Sequence, residues 1–335
     1  DITVDEMQNV YGCLPGEVSN TPGLMLMAHT DTVFPAETDL TLQRTHKVLH
    51  GPGLGDNSIG VAGLLGLAHT MREKRARGAC DLWFVATSRE EGLGDLGGAR
   101  LAYHTLREKI GMVINIEGLA YGYIYNAGIA VRRLHITIKA QGGHSWLHFG
   151  RASAIHTLMR LGATLSEMQV PHSPRTTFNI GMIEGGHSIN SIATEAGLWL
   201  DLRSEETTSL QQLEETVRVA IEQHHTEDED IEINVEVVGD RPTGSIETDH
   251  PLIEAAMTAL EETGVRGTLQ IGSTDGNIPL SHGCPTVTIG ITRGGNAHRT
   301  DEFVEVSPVK NGLRQLLLLT LAAADHQATP EQVTI

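Results

Sequence analysis

Cysteine is scarce in this chain, basic residues are few and long apolar runs are missing. Its three cysteines, Cys13, Cys80 and Cys284, stand far apart with no Cys-x-x-Cys pair, which argues against both a disulfide framework and a thiolate zinc knuckle. They read as free thiols in a reducing compartment. The longest greasy run, "LLLLTLAAA" from Leu316 to Ala324, is too short to cross a bilayer. With 24 Lys and Arg against 42 Asp and Glu, the formal charge is -18, a balance that repels phosphate backbones and anionic bilayers. Neither nucleic acid nor membrane is expected as a partner. The opening "DITVDEMQNVYG" has neither the basic start nor the apolar centre of a signal peptide, so the expected setting is cytoplasmic.

What the chain does have is 335 residues, 40% of them hydrophobic, enough for two domains with separate cores. The stretch "LMLMAHTDTVFP", Leu24 to Pro35, reads as a strand buried on both faces, and the two-residue side-chain repeat puts His29 and Asp31 on one side as it ends. A local cap or the start of a site would both look like this. Three further apolar runs end in polar chemistry: "DLWFVATS" runs into Arg89, Glu90 and Glu91, "GMVINI" into Glu117, and "TVTIGIT" into "RGGNAHRTDE" with His298. Helical patterns over Ile59 to Arg75 and Gly98 to Lys109 alternate with them, which predicts an α/β fold with a mostly parallel sheet and helices on both faces. Such sheets place their sites beyond the carboxyl ends of the strands.

From about Ala127 to Gly239 the texture changes to the order β-α-β-β-α-β, that of a ferredoxin-like module. The expectation is an inserted α+β domain over residues 127–240, between two parts of a first domain at 1–126 and 241–335. The acidic run Glu227 to Asp230 reads as a solvated turn.

The loop "GPGLGDNSIG" must be weighed as a phosphate cradle. It is a poor one, because Ser58 stands where a dinucleotide loop needs its third glycine and Asp56 would repel a pyrophosphate. At the start of a helix, Asp56 serves better as an N-cap or as a metal ligand. Together, His29, Asp56, Glu91, Glu117 and His298 offer imidazole and carboxylate without thiolate, a set for zinc, with cobalt or manganese also possible. That exceeds the needs of one tetrahedral ion. Two ions about 3.5–4 Å apart, bridged by a carboxylate and a water, use all of them, and Asp56 is the natural bridge.

In order and spacing, the motifs "HTDTV", "GDNSIG", "EEGLGD", "IEG", "GGHSW", "GMIEGGHSINSIATEAGLWLDLRS", "GDRP" and "GGNAHRTDE" resemble the dinuclear zinc exopeptidases and deacylases. That family includes carboxypeptidase G, peptidase T, aminoacylase, acetylornithine deacetylase and succinyl-diaminopimelate desuccinylase. The resemblance covers nearly the whole chain. It implies that the inserted domain is a lid and dimerisation domain, that Asp56 bridges two zinc ions, that His29 and Glu117 belong to different ions, and that Glu91 joins one and His298 the other. Glu90 is the expected general base for a metal-bridging water, and the Asp31 carboxylate is expected to accept from the far nitrogen of His29 and fix its tautomer. In similar enzymes the histidine at the place of His144 reaches into the partner subunit's site and stabilises the oxyanion, which implies a homodimer. Arg241 and Asn190 match positions that hold a substrate's free carboxylate.

Relatives carry an amino-terminal helix ahead of the first strand, whereas this chain opens almost at "DEMQNVYG". A glutamate at the place of Glu117 accompanies carboxypeptidases and N-acyl deacylases, an aspartate aminopeptidases and dipeptidases. The leading expectation is therefore a carboxypeptidase-like exopeptidase acting on short peptides. An N-acyl amino acid deacylase, a tripeptide aminopeptidase and a metal-binding protein without turnover are the alternatives.

Overall fold

The computed structural model describes residues 2–226 and 230–329, so the acidic run lies outside the described residues except for Asp230. The chain forms two compact units, one from the chain up to Gly128 and again from Thr243, the other Ile129–Pro242.

Among the described residues the first unit holds a nine-stranded sheet in the order Ile2–Val4, Val10–Leu14, Leu82–Thr87, Gly23–His29, Ile110–Glu117, Thr286–Gly290, Tyr123–Gly128 and Gly244–Ser245, with Thr268–Gly272 also paired to Tyr123–Gly128. The central Leu82–Thr87, Gly23–His29, Ile110–Glu117 and Thr286–Gly290 are mutually parallel. These are the apolar runs that end in polar chemistry. Every residue of Gly23–His29 is buried, because alternate side chains enter different cores. Leu24, Leu26 and Ala28 pack in the core that includes helices Ile59–Lys74, Pro251–Glu261 and Val309–Ala328, whereas Met25 and Met27 pack in the one that includes helix Gly97–Leu106. Burial of each large apolar side chain stabilises by about 1.5–3 kcal/mol. The greasy run from Leu316 lies in Val309–Ala328, where Leu316, Leu319 and Ala323 face the core. No helix among the described residues is long and apolar enough to cross a membrane.

The second unit follows the order Ala130–Ala140, helix Ala154–Ser166, Thr176–Gly185, Glu195–Ser204, helix Thr207–Thr226, Ile231–Arg241. Its four-stranded sheet runs Thr176–Gly185, Glu195–Ser204, Ala130–Ala140, Ile231–Arg241 with antiparallel neighbours, a ferredoxin-like arrangement. Leu134, Ile136, Ile138, Leu198, Leu200 and Leu202 cluster with helix residues such as Leu158, Leu161 and Val217, so the strands alternate. A short ladder joins Gly143–His144 to Ser191–Ile192. Cys13, Cys80 and Cys284 are all free thiols.

Candidate metal centre

His29 and Glu117 are the last residues of adjacent parallel strands. Glu90 and Glu91 follow the end of Leu82–Thr87, and His298 lies in the loop between the short strands Gly294–Gly295 and Phe303–Glu305. Asp56 sits in the turn Leu54–Ser58, ahead of helix Ile59–Lys74, and its peptide bond to Asn57 is cis. Two glycines let this turn sit where it does. A Cβ on Gly118 would lie 1.8 Å from the Gly55 carbonyl oxygen, and one on Gly60 would lie 2.0 Å from Asn57 Oδ1. The glycines of "IEG" and "GDNSIG" are thus required by close approach.

The side chains of His29, Asp56, Glu91, Glu117 and His298 converge. Asp56 presents one oxygen to each imidazole: Oδ1 lies 3.1 Å from His29 Nε2, and Oδ2 lies 3.0 Å from His298 Nε2. Glu117 Oε2 is 3.5 Å from His29 Nε2, and Glu91 Oε1 is 3.2 Å from His298 Nε2. Nearest contacts thereby group His29 with Glu117 and His298 with Glu91, one group on each side of Asp56. This differs from the expectation that separated His29 from Glu117. The reason is lateral strand order, which makes Gly23–His29 and Ile110–Glu117 neighbours. Donor atoms of His29, Asp56 and Glu91 also lie within 4.8 Å of one another, so the two groups form one cluster.

The electrostatics favour added positive charge. Burial pulls the His29 imidazole down, but Glu117, hydrogen bonds to Asp56 and Glu117, and the charge of Glu90 carry it well above its ordinary value. His298 is pushed up to about 9, chiefly by its hydrogen bond to Asp56. Burial lifts Asp56, yet hydrogen bonds to both histidines hold it well below the usual carboxylate range. Glu91 is raised by burial and then by the neighbouring Asp56. Carboxylates crowded in this way suit a divalent cation, and two imidazole nitrogens among them suit zinc-like ions. Asp56 is not used as a cap: helix Ile59–Lys74 has Ser58 at its N-cap without a side-chain capping bond.

Asp31 does something other than expected. The Nδ1 of His29 lies 3.0 Å from the Asp31 backbone carbonyl oxygen but 3.7 Å from its nearest carboxylate oxygen. The carboxylate instead accepts the backbone N–H of Glu90 at 3.0 Å and of Glu91 at 2.9 Å. His29 pairs with Thr87 across the ladder, so the chain two residues on runs beside Arg89 and Glu90. Glu90 itself is only 6% exposed. Arg89 (φ 58°) and His298 (φ 66°) hold left-handed conformations, which cost of order 1–3 kcal/mol and persist where surroundings over-determine them.

Other residues support the centre in ways the sequence does not spell out, although Asn57 and Glu302 lie within "GDNSIG" and "GGNAHRTDE". Asn57 donates from Nδ2 to the Ile116 carbonyl at 2.8 Å, and Asn115 donates from Nδ2 to Glu117 Oε1 at 3.3 Å. Glu302, fully buried, accepts from the backbone of the Asp56 turn. In the loop "GSTDGN", Gly272 to Asn277, the N–H groups of Thr274, Gly276 and Asn277 bond within the loop itself. Its Asp275 is raised by burial to about 6 and accepts from the Thr87 hydroxyl at 2.6 Å. His144, Asn190 and Arg241 belong to the second unit. His144 and Asn190 are exposed on the paired turns, where Ser145 N–H donates to the Asn190 carbonyl at 3.0 Å, and Arg241 is buried at the end of Ile231–Arg241.

Residues 25–322 match the profile of a protein family described as peptidase family M20/M25/M40. Acetylornithine deacetylase of Photorhabdus laumondii is 26% identical over 340 residues, spanning 94% of this chain and 84% of that protein. Among solved structures, a tripeptidase from Staphylococcus aureus superposes with a TM-score of 0.79 at 22% identity, covering 97% of this chain and 89% of that one. Aminopeptidase PepT from Bacillus cereus does so with 0.75 at 20% identity and the same coverage.

Proposed function

This chain belongs to peptidase family M20/M25/M40 and is a hydrolase of that family, and from that premise we propose that it is a carboxypeptidase-like exopeptidase acting on short peptides. The observation that carries this reading is the Asp56 carboxylate, which faces an imidazole and a further carboxylate on each side, with buried Glu90 next in sequence to Glu91. His29, Asp56, Glu91, Glu117 and His298 would hold two zinc ions, and cobalt or manganese fits the same donors. When bound, such ions polarise a scissile carbonyl and acidify water at the centre.

Glu90 takes the proton of the attacking water and delivers it to the leaving amine nitrogen as the carbon–nitrogen bond breaks. Asp31 fixes the backbone from which Glu90 projects. The turn carrying His144 suits a hydrogen-bond donor: its Nδ1 accepts from the N–H of Trp146 at 3.2 Å and of Leu147 at 3.5 Å, so the neutral ring carries its proton on Nε2. That proton would stabilise the oxyanion, by resemblance from His144 of the partner subunit. Arg241 and Asn190 would hold the substrate's free carboxylate. Support for a homodimer comes from the edge strand Thr176–Gly185, where Met182 and Ile183 are exposed.

Deacylation of an N-acyl amino acid is the second reading, favoured by the name of the 26% identical relative and compatible with Glu117. Tripeptide aminopeptidase action stands third. A panel of dipeptides, tripeptides and N-acyl amino acids, assayed with and without chelator, separates them. Chelator-sensitive release of a carboxyl-terminal residue is expected; no hydrolysis by the metal-loaded chain, or hydrolysis indifferent to chelator, overturns the proposal.

A further inference from the structure

We infer that Glu302 is a positioning residue that sets the Asp56 turn and the His298 loop in register with each other. This rests on the reading of His29, Asp56, Glu91, Glu117 and His298 as metal ligands. Glu302 is 0% exposed, a costly place for a carboxylate, and among the described residues its Oε2 has no hydrogen-bond partner. Its Oε1 accepts two consecutive backbone N–H groups, of Gly55 at 2.5 Å and of Asp56 at 2.8 Å, from a turn 246 and 247 residues away in sequence. Its own carbonyl accepts the N–H of Gly51 at 2.9 Å. The loop that carries His298 is thereby fastened along the turn that carries Asp56.

The turn has a particular need of this. Asp56 (φ -117°, ψ 90°) and Asn57 (φ -134°, ψ 32°) are not helical, and the carbonyl ladder of the following helix does not reach back to the N–H groups of Gly55 and Asp56. Glu302 supplies the acceptor. The approach is close, since a Cβ on Gly55 would lie 2.9 Å from Glu302 Oε1. Asp56 must face both imidazoles at once, and a short side chain can do so only if its backbone is fixed. The same device appears at Asp31, whose carboxylate holds the N–H groups of Glu90 and Glu91. One carboxylate places the expected base, the other the expected bridge.

Glu302→Met decides the matter, because it keeps the buried volume and loses the acceptor; Glu302→Gln, which keeps an acceptor oxygen, is its control. Zinc or cobalt affinity of the full chain is measured by chelator competition, metal content by mass spectrometry, and melting temperature on metal-stripped protein. The expected result is affinity about 10–100-fold weaker in Glu302→Met, wild-type affinity in Glu302→Gln, and metal-stripped melting lowered by only about a few degrees in Glu302→Met, for the two amides left without an acceptor. Wild-type affinity in Glu302→Met overturns the inference. So does a Glu302→Met chain that fails to fold, or melts far lower without metal, while Glu302→Gln folds, because Glu302 would then support the fold and not the ligands. A wild-type chain that takes up neither cation overturns the proposed centre itself.

Discussion

In the first unit the strand Gly23–His29 is buried at every position and stops on an imidazole, whereas in the second the strand Ala130–Ala140 alternates buried with half-buried or exposed residues from Arg133 to Lys139. The contrast follows from what covers each sheet. Parallel strands with helices on both faces have no wet face, so polar side chains collect where the strands end. An antiparallel sheet covered on one face can carry polar groups along the other. Arg133 and Arg203 both bond to Asp201 there, at 3.1 and 2.6 Å, and His135 stacks on Trp199 with ring centres 4.0 Å apart. One unit concentrates charge at a point and the other spreads it.

The largest expected effect tests whether proton transfer belongs to the point of concentration. Glu90→Ala should lower turnover by about 10³-fold or more while metal content, read by mass spectrometry, stays that of the wild type. Full activity would remove Glu90 as the base. His144→Ala carries the comparison into the second unit. Turnover should fall about 10²–10³-fold, again with metal content unchanged, and an unaltered kcat would confine the chemistry to the first unit.

The parallel strands were legible because each is an uninterrupted apolar run stopped by His, Glu or a Gly-rich loop, and the β-α-β-β-α-β order was legible because strand alternation and helical period differ over short windows. Lateral order was not. Nothing along the chain says that Gly23–His29 lies between Leu82–Thr87 and Ile110–Glu117, and from that order follow the grouping of His29 with Glu117 and the use of the Asp31 carboxylate on the amides of Glu90 and Glu91. Glu302 closes the motif "GGNAHRTDE", but its task was not legible for a related reason: its partners are backbone groups, which leave no residue-type signature in the turn they occupy.

Proton competition offers a graded test of the first unit. In the metal-free chain His298 is raised to about 9 by Asp56, so below that pH the ring holds a proton that a cation must displace. Metal affinity should rise by at least about tenfold per pH unit between pH 7 and 9, because His298 loses its competing proton as pH rises through its folded value and His29, raised as well, adds to the slope. Chelator competition at three pH values measures the slope. A flat profile would detach His298 from the metal set.

The smallest effect on the folded chain tests what the second unit does with its open edge. Ile183 is 67% exposed on Thr176–Gly185, the edge strand of the four-stranded sheet, and Ile183→Lys should change the stability of a single chain by no more than about 0.5 kcal/mol. A lysine on an exposed edge nonetheless opposes strand pairing between copies. Sedimentation should therefore shift from dimer to monomer while thermal unfolding of the dilute chain barely moves. If the edge is the contact between copies, turnover should fall with dissociation and metal content should hold, because the ligands all lie in the other unit. A dimer that survives the lysine would place the contact elsewhere, and the apolar edge would lose its proposed use.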